Sequence, residues 1–394
     1  MATEFQTARL AALVIADDSP DTPLVLGRSL TELQIARVVS TGARHVVCLV
    51  RQISPTMLGV ADNLRANGLT VDIVRSIAEA ADAVHPNEAV FLIASKVLVS
   101  SATLGELRAG GAPALLCVDR DVAPTQFEIV DATMRWTGYA LMRGATLRQV
   151  ANMVGDWDPA STLLRQMVQD NARRIVLTSA QVTEAMMTIR DSDEAINAGR
   201  KLLDADTGER DGMGSYWCGR PLGRFCARLA GELGIKSKSI ELGAVAAAVL
   251  GALVSLTGWL VAGLVILTLA FVGKSAAARL SSALDELGSS GPVLRGTEDI
   301  AAIVTVCACA ATLASRTGQW GCLLLGGLLI GAQYLVRRRI APFRHARWTS
   351  DPLSDALILL FGFLATVPVV GLFIAAGHAV ASMLWLQRPV SKSV

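Results

Sequence analysis

The chain has 394 residues, 52% of them hydrophobic, and a formal net charge of only +2. That length accommodates two domains or more, and the small charge excludes a protein drawn to nucleic acid by a global positive field. The mean hydropathy of +0.46 is high for a soluble protein. The excess is uneven: residues 1–210 have the mixture of a soluble domain, whereas 242–387 are dominated by uncharged apolar runs. Seven cysteines (Cys48, Cys117, Cys218, Cys226, Cys307, Cys309, Cys322) include no C-x-x-C pair, and His45, His85, His345 and His378 are scattered. Neither a zinc site nor a disulfide framework is expected; the cysteines read as small buried side chains.

The first residues, MATEFQTARLAAL, lack the basic start and long apolar core of a signal peptide, so the first domain is expected in the cytoplasm. Short apolar runs then alternate with helical stretches. Strands are predicted at 11–16, 45–50, 70–75, 89–94 and 113–118, and helices near 29–41 and 56–67, the second ending at Gly68. Short continuous apolar runs suit buried parallel strands, so residues 1–190 are predicted to form an α/β domain with a mostly parallel sheet. Ligands bind such sheets at strand ends, which makes Asp119, Arg120 and Asp121 a candidate site beside the plainer reading of a solvated loop. Asp156-Trp157-Asp158 has the D-x-D form of a nucleotide-sugar metal site. Asp158 followed by Pro159 is equally the pattern of a helix cap with proline at the first helical position.

A linker helix is expected within 191–210, strongest over 192–206, and then an amphipathic stretch over 211–240. There Arg220, Arg224 and Arg228 recur every four residues and share one face, with Trp217, Leu222, Phe225 and Leu229 available to the other. Such a helix lies in the headgroup layer with its arginines toward lipid phosphates.

Residues 241–394 are predicted to form an all-α polytopic membrane domain of about six helices. The uncharged run 242–273 is too long for one crossing of ~30 Å and breaks at 255–258; 300–315 and 317–336 supply two more crossings. The run 356–387, with Pro368 near its middle, supplies the last two, near 354–367 and 369–386. Lys274, Arg279, Arg295, Arg337, Arg338, Arg339, Arg344, Arg347, Arg388 and Lys392 fall on one side of that topology and only Arg316 on the other. Positive charge stays in the cytoplasm, so a multi-pass inner-membrane protein with both termini cytoplasmic is expected. Small residues such as Gly326, Gly327 and Gly331 suit close helix packing. His378 lies deep in the last span, where an ionisable group is a functional candidate or an interhelical hydrogen-bonding group. No clustered charges line the middle of the spans, which argues against a transporter.

The stretch 271–296, FVGKSAAARLSSALDELGSSGPVLRG, resembles the signature of the CDP-alcohol phosphotransferase family, D-x2-D-G-x2-A-R-x8-G-x3-D-x3-D. Ala278, Arg279 and Gly288 fall where the family has A, R and the later G, while its four aspartates fall on Phe271, Lys274, Pro292 and Gly296. Asp211-Gly212 and Arg220-Pro221 resemble that family's interfacial segment, so the likeness covers roughly 211–394. It implies transfer of a phospho-alcohol from a CDP-linked donor to a lipid or polyol hydroxyl, with release of CMP, in headgroup synthesis. By the same resemblance Arg279 contacts the donor phosphates, and Arg337, Arg338, Arg339 and Arg344 hold an anionic acceptor or serve only as topogenic charge. The family uses Mg²⁺ or Mn²⁺ held by those aspartates, and the side chains here offer no such ligands. Glu298 and Asp299, one turn away, are weak replacements or simply helix-start carboxylates.

Residues 23–50 resemble the early part of a sugar-phosphate nucleotidyltransferase through Pro23, Leu24, Gly27, Leu30, Gly42, Val46 and Val47. A fusion of the two is known for enzymes that make and use CDP-inositol. Here the phosphate-cradling glycine-rich loop of that family is replaced by ADDSPDTP, with Asp17, Asp18 and Asp21, and the expected acidic ligand after the fourth strand by Ala94-Ser95-Lys96. The competing expectation is a non-catalytic protein that binds nucleotide or anionic lipid, or scaffolds an active homologue. Membrane lipids and a CDP-alcohol are the implied partners, nucleic acid is not, and a homodimer is left open.

Overall fold

The structure, a computed structural model, describes residues 9–16, 23–94, 96–124, 127–153, 158–204, 212–285, 292–339 and 347–386. The chain divides into two compact units, Met1–Gly199 and Arg200–Val394.

The first unit runs β1 (Leu10–Ala16), α1 (Leu30–Ser40), β2 (His45–Val50), α2 (Pro55–Ala66), β3 (Thr70–Val74), α3 (Ile77–Ala83), β4 (Ala89–Ile93), β5 (Val97–Val99) and α4 (Ser101–Ala109). It continues with β6 (Ala114–Asp119), β7 (Glu128–Ile129), β8 (Met134–Arg143), α5 (Gly144–Ala151), α6 (Pro159–Gln169), β9 (Arg173–Leu177), α7 (Ser179–Ala185) and β10 (Met186–Thr188), and α8 (Ser192–Asp204) carries the chain across the unit boundary. Ser29, Ser54, Ser76 and Ser100 start α1 to α4 by accepting a hydrogen bond from the third residue of each helix, satisfying an amide the helix itself leaves unpaired. Asp158 caps α6 in the same way, accepting from the Ser161 N–H at 2.9 Å with Pro159 at the first position. Asp156 and Trp157 lie outside the described residues, so the D-x-D reading rests on Asp158 alone, whose oxygen is committed to the cap.

The sheet order is β3-β2-β1-β4-β8-β6-β9. Neighbours β1/β2, β2/β3, β1/β4 and β6/β9 are parallel, while β8 is antiparallel to both β4 and β6. The α/β layering is the expected one, and β8 inserts a reversed strand into the mostly parallel sheet. It was not among the predicted strands because its sequence MRWTGYALMR mixes polar and apolar residues. Its polar groups are satisfied inside: the Thr137 hydroxyl donates to Leu116 O at 3.0 Å and the Tyr139 hydroxyl to Val97 O at 2.6 Å. Leu13, Val47, Leu92, Leu115, Trp136 and Leu147 are fully or almost fully buried in one core. The strand order turns back between β1 and β4, so their carboxyl ends bound the crevice where such sheets take ligands.

In the second unit a π-turn (Ser215–Gly219) leads directly into α9 (Arg220–Glu232), followed by α10 (Ser237–Leu256), α11 (Leu260–Ala283), α12 (Pro292–Thr317), α13 (Gly321–Arg339), α14 (Pro352–Leu364) and α15 (Pro368–Leu386). The single amphipathic segment expected over 211–240 is therefore broken. Gly234 adopts φ +67° and the Ile235 N–H reaches back to Ala230 O at 2.8 Å, a helix stop that favours glycine; α10 starts three residues later. The break expected at 255–258 is present, closed by Gly258 at φ +89°.

Four of the six helices α10 to α15 are long and apolar enough to cross a membrane: Ser237–Leu256, Leu260–Ala283, Gly296–Thr317 and Pro368–Leu386. Helix α14 has 13 residues, about 20 Å at the helical rise, short of a hydrocarbon core of about 30 Å. Helix α13 falls outside the group because its end carries Arg337 to Arg339. Of the glycines the sequence singled out, Gly326 packs closely, and further close contacts come from glycines it did not single out. A Cβ on Gly362 would sit 2.8 Å from the Gly371 Cα, and one on Gly251 would sit 2.9 Å from Gly263 O. Gly326 does approach Ala310, but a Cβ on Gly327 or Gly331 meets open space.

Candidate functional site

The residues that resemble the phosphotransferase signature lie on the facing ends of α11 and α12. Phe271 is buried against Ala248, Ala252, Leu267, Ala301 and Leu353, an apolar cluster. One turn on, the Lys274 ammonium forms an ion pair with the buried Glu298 carboxylate of α12. Next along, the Ser275 hydroxyl donates to Gly219 O at 3.0 Å, and Gly223 lets α9 lie directly on Ser275. Ala278 is half-buried and Arg279 buried on α11, and Gly296 opens the apolar part of α12. Gly288 and the side chain of Pro292 lie outside the described residues.

Asp299, adjacent to Glu298, is paired with Arg337 of α13. Two neighbouring carboxylates on α12 thus reach in two directions, one to α11 and one to α13. Arg338 stacks on Tyr334 of its own helix, 4.7 Å from the ring centroid. The arginine group expected to hold an acceptor is therefore split: Arg337 is engaged by Asp299 and Arg338 lies over an aromatic ring. Arg344 and the side chain of Arg339 lie outside the described residues.

These donors do not fit a two-metal centre. Phe271 offers no ligand, Lys274 brings a cation, and the Glu298 carboxylate it meets is already neutralised by that cation. A hard divalent ion requires several oxygen ligands, and among the described residues no group of three or more His, Cys, Asp or Glu side chains could hold one.

Beside this pair lies a polar junction that sequence reasoning missed. The Asp351 carboxylate accepts from the Ser354 N–H at 2.7 Å, capping α14, and also from Gly214 N–H at 3.2 Å and Ser215 N–H at 2.7 Å. One side chain thus caps α14 and anchors the chain entering the π-turn. Gly212 and Gly214 have no room for a side chain here; a Cβ on Gly212 would lie 2.7 Å from Thr349 O. Buried Asp355, one turn along α14, accepts from Ser350 Oγ at 2.9 Å and from Gln333 of α13. The Ser350 N–H donates to Ser382 Oγ of α15 at 2.9 Å. His378 Nε2 lies 2.8 Å from Trp348 O, so this histidine links α15 to the segment before α14. The signal available in the sequence was S-D-P-L-S-D, two carboxylates at the opening of an apolar run, where an ionisable residue needs partners.

In the first unit, Asp119 to Asp121 form a self-contained turn. Asp119 Oδ1 accepts from the Asp121 N–H at 3.0 Å, and Arg120 donates to Ala132 O at 3.3 Å. Lys96 follows β4 at the crevice; Ser95 and the loop bearing Asp17, Asp18 and Asp21 lie outside the described residues.

Fold and composition together define the class: a polytopic all-α membrane domain fused to a soluble α/β domain. No family model and no curated protein matches the chain.

Proposed function

We propose that this protein is a non-catalytic relative of the CDP-alcohol phosphotransferases, acting by binding a phosphate-bearing ligand, nucleotide or anionic lipid, rather than by metal-dependent transfer. The observation that carries the reading is the Lys274–Glu298 ion pair. It supplies an internal cation where the resembling family supplies a metal, and it uses the carboxylate that a metal would need. Its acidic member is buried and depends on the partly exposed lysine for its neutralisation, so the pair fixes the facing ends of α11 and α12. The α/β domain is then the second binding module, resembling a nucleotidyltransferase without that family's phosphate loop. Six crossings with both termini cytoplasmic is the topology that the one-sided distribution of arginine supports, and reporter fusions at the two ends, both reading cytoplasmic, check it.

The full chain, purified in detergent and titrated with Mn²⁺ and CDP-diacylglycerol or CDP-inositol, is expected to release no CMP above the protein-free rate. Spin resonance should show no tightly held Mn²⁺. CMP release that depends on Mn²⁺ overturns the reading in favour of phospho-alcohol transfer. Aspartates restored together at Phe271, Lys274, Pro292 and Gly296 are expected to raise Mn²⁺ uptake.

A further inference from the structure

Helices α13 and α15 leave a gap between them at one end of the membrane domain. There the first half of α13 and the start of α15 border an open groove of about 770 Å³, lined by Leu324, Gly327, Leu328, Val369 and Phe373 and by the buried Cys322. That volume lies within the roughly 300–1,000 Å³ of small-ligand sites. Gly327 gives the groove depth, since a Cβ there would meet nothing within 4 Å. Leu324 and Phe373 on its walls are 79% and 64% exposed. Gln319, just before α13, brings a polar side chain to the lining, and Trp320, next in the chain, is 73% exposed.

We infer that this groove holds one hydrocarbon chain of a bilayer phospholipid, with the headgroup at the level of Gln319 and Trp320. An exposed tryptophan at a helix end marks that level. The helical lining on α13 runs from Gly321 to Leu328, about 10 Å at the helical rise, against a hydrocarbon core of about 30 Å. The groove therefore belongs to one leaflet. Farther along, α13 closes onto α15, where Val336 and Leu386 are buried together. A membrane helix from a second copy needs a face that continues through both leaflets, whereas one lipid chain does not. Water finds too few polar partners among such walls, and an unfilled groove forfeits the dispersion contacts of every side chain that lines it. In lipid, packing contacts of this kind are what hold an occupant. The groove is continuous with the outer face of α15, a helix long and apolar enough to cross a membrane, where Val370 and Ile374 are exposed. Because its walls are apolar, the site reads the chain and not the headgroup. It lies at the end of α13 away from Arg337 to Arg339 and uses none of the residues on which the proposed function rests.

The test is native mass spectrometry of the detergent-purified full chain supplied with phosphatidylcholine or with phosphatidylglycerol of the same acyl chains. The parent is expected to retain a single phospholipid per chain, equally for the two headgroups. Gly327→Leu fills the groove and should lose that lipid. Gly331→Leu, one turn on, also points into open space but lies outside the lining, and should keep it. Leu324→Gln, at an exposed position, should weaken retention, and it carries the test if Gly327→Leu is not recovered folded. The proposal is overturned by a parent that retains no lipid or retains it according to headgroup, or by groove variants that bind as the parent does. Equal loss in Gly331→Leu, or a parental dimer that Gly327→Leu converts to monomer, also overturns it, the latter in favour of a second copy. None of these readouts depends on CMP release, so failure here leaves the non-catalytic reading to its own test.

Discussion

Lys274 and Glu298 stand 24 positions apart on two helices and meet as an ion pair whose acidic member is buried. Neither charge is comfortable alone in an apolar bundle, because desolvation opposes an unpaired charge more strongly than pairing rewards it. The pair therefore acts as a clasp between α11 and α12, and Asp299 with Arg337 extends the clasp to α13.

Lys274→Met leaves the Glu298 carboxylate buried without its cation. The expected destabilisation is roughly 2–3 kcal/mol, at or below the lower end of the range for breaking a buried pair because the lysine is partly exposed. Lys274→Met with Glu298→Gln should recover at least half of that. Thermal unfolding in detergent checks both. A double variant no more stable than the single one would show that the lysine contributes through packing and not through its charge.

The Asp351 carboxylate serves three backbone amides. Asp351→Ala strands buried donors and should cost about 2–3 kcal/mol, whereas Asp351→Asn keeps an acceptor and should cost less than half as much. The measurement is again the unfolding midpoint, together with the fluorescence of Trp217 and Trp348, which flank the same junction.

Gly362 and Gly371 face each other across the α14–α15 hairpin, with space for hydrogens only. Gly362→Val should prevent recovery of monodisperse protein. Gly327→Val, on a face with open space, should be recovered at parental yield. Small-residue contacts are what allow helices to approach in lipid, so equal yields for the two variants would contradict the packing described.

Cys117 on β6 is buried, and burial pushes its thiol from the ordinary 9.0 up to about 12, with Arg174 opposing in part. The folded chain therefore keeps this proton to about pH 12, while the unfolded chain releases it near 9. Unfolding releases a proton in that window, so this group's contribution is fully present below pH 9 and is lost as the pH rises toward 12. Labelling of Cys117 by maleimide at pH 8 should be negligible until denaturant is added; rapid native labelling would contradict its burial.

Much of the fold was readable from local pattern. The strand at 45–50 coincides with β2, and the break between α10 and α11 falls where Gly258 interrupts the apolar run. Both are local effects, of apolar continuity and of a glycine at positive φ. Strand β8 escaped because its buried Thr137 and Tyr139 look like surface residues until their acceptors on other strands are known. The arginine stripe was legible as a face, but its division into Arg224 and Arg228 with acids and Arg220 on Tyr216 was not.

By itself the sequence determined the two-part architecture, since burial of apolar runs and helical length depend on neighbours in the chain. It also determined that Phe271, Lys274, Pro292 and Gly296 bring no oxygen ligands, a matter of side-chain chemistry alone. Only the tertiary structure decided that Lys274 meets Glu298, that Asp351 caps two segments at once, and that Arg347 joins Arg220 over one ring. Those pairings join residues far apart along the chain, and charge and aromatic contacts act over a few ångströms of space whatever the sequence distance.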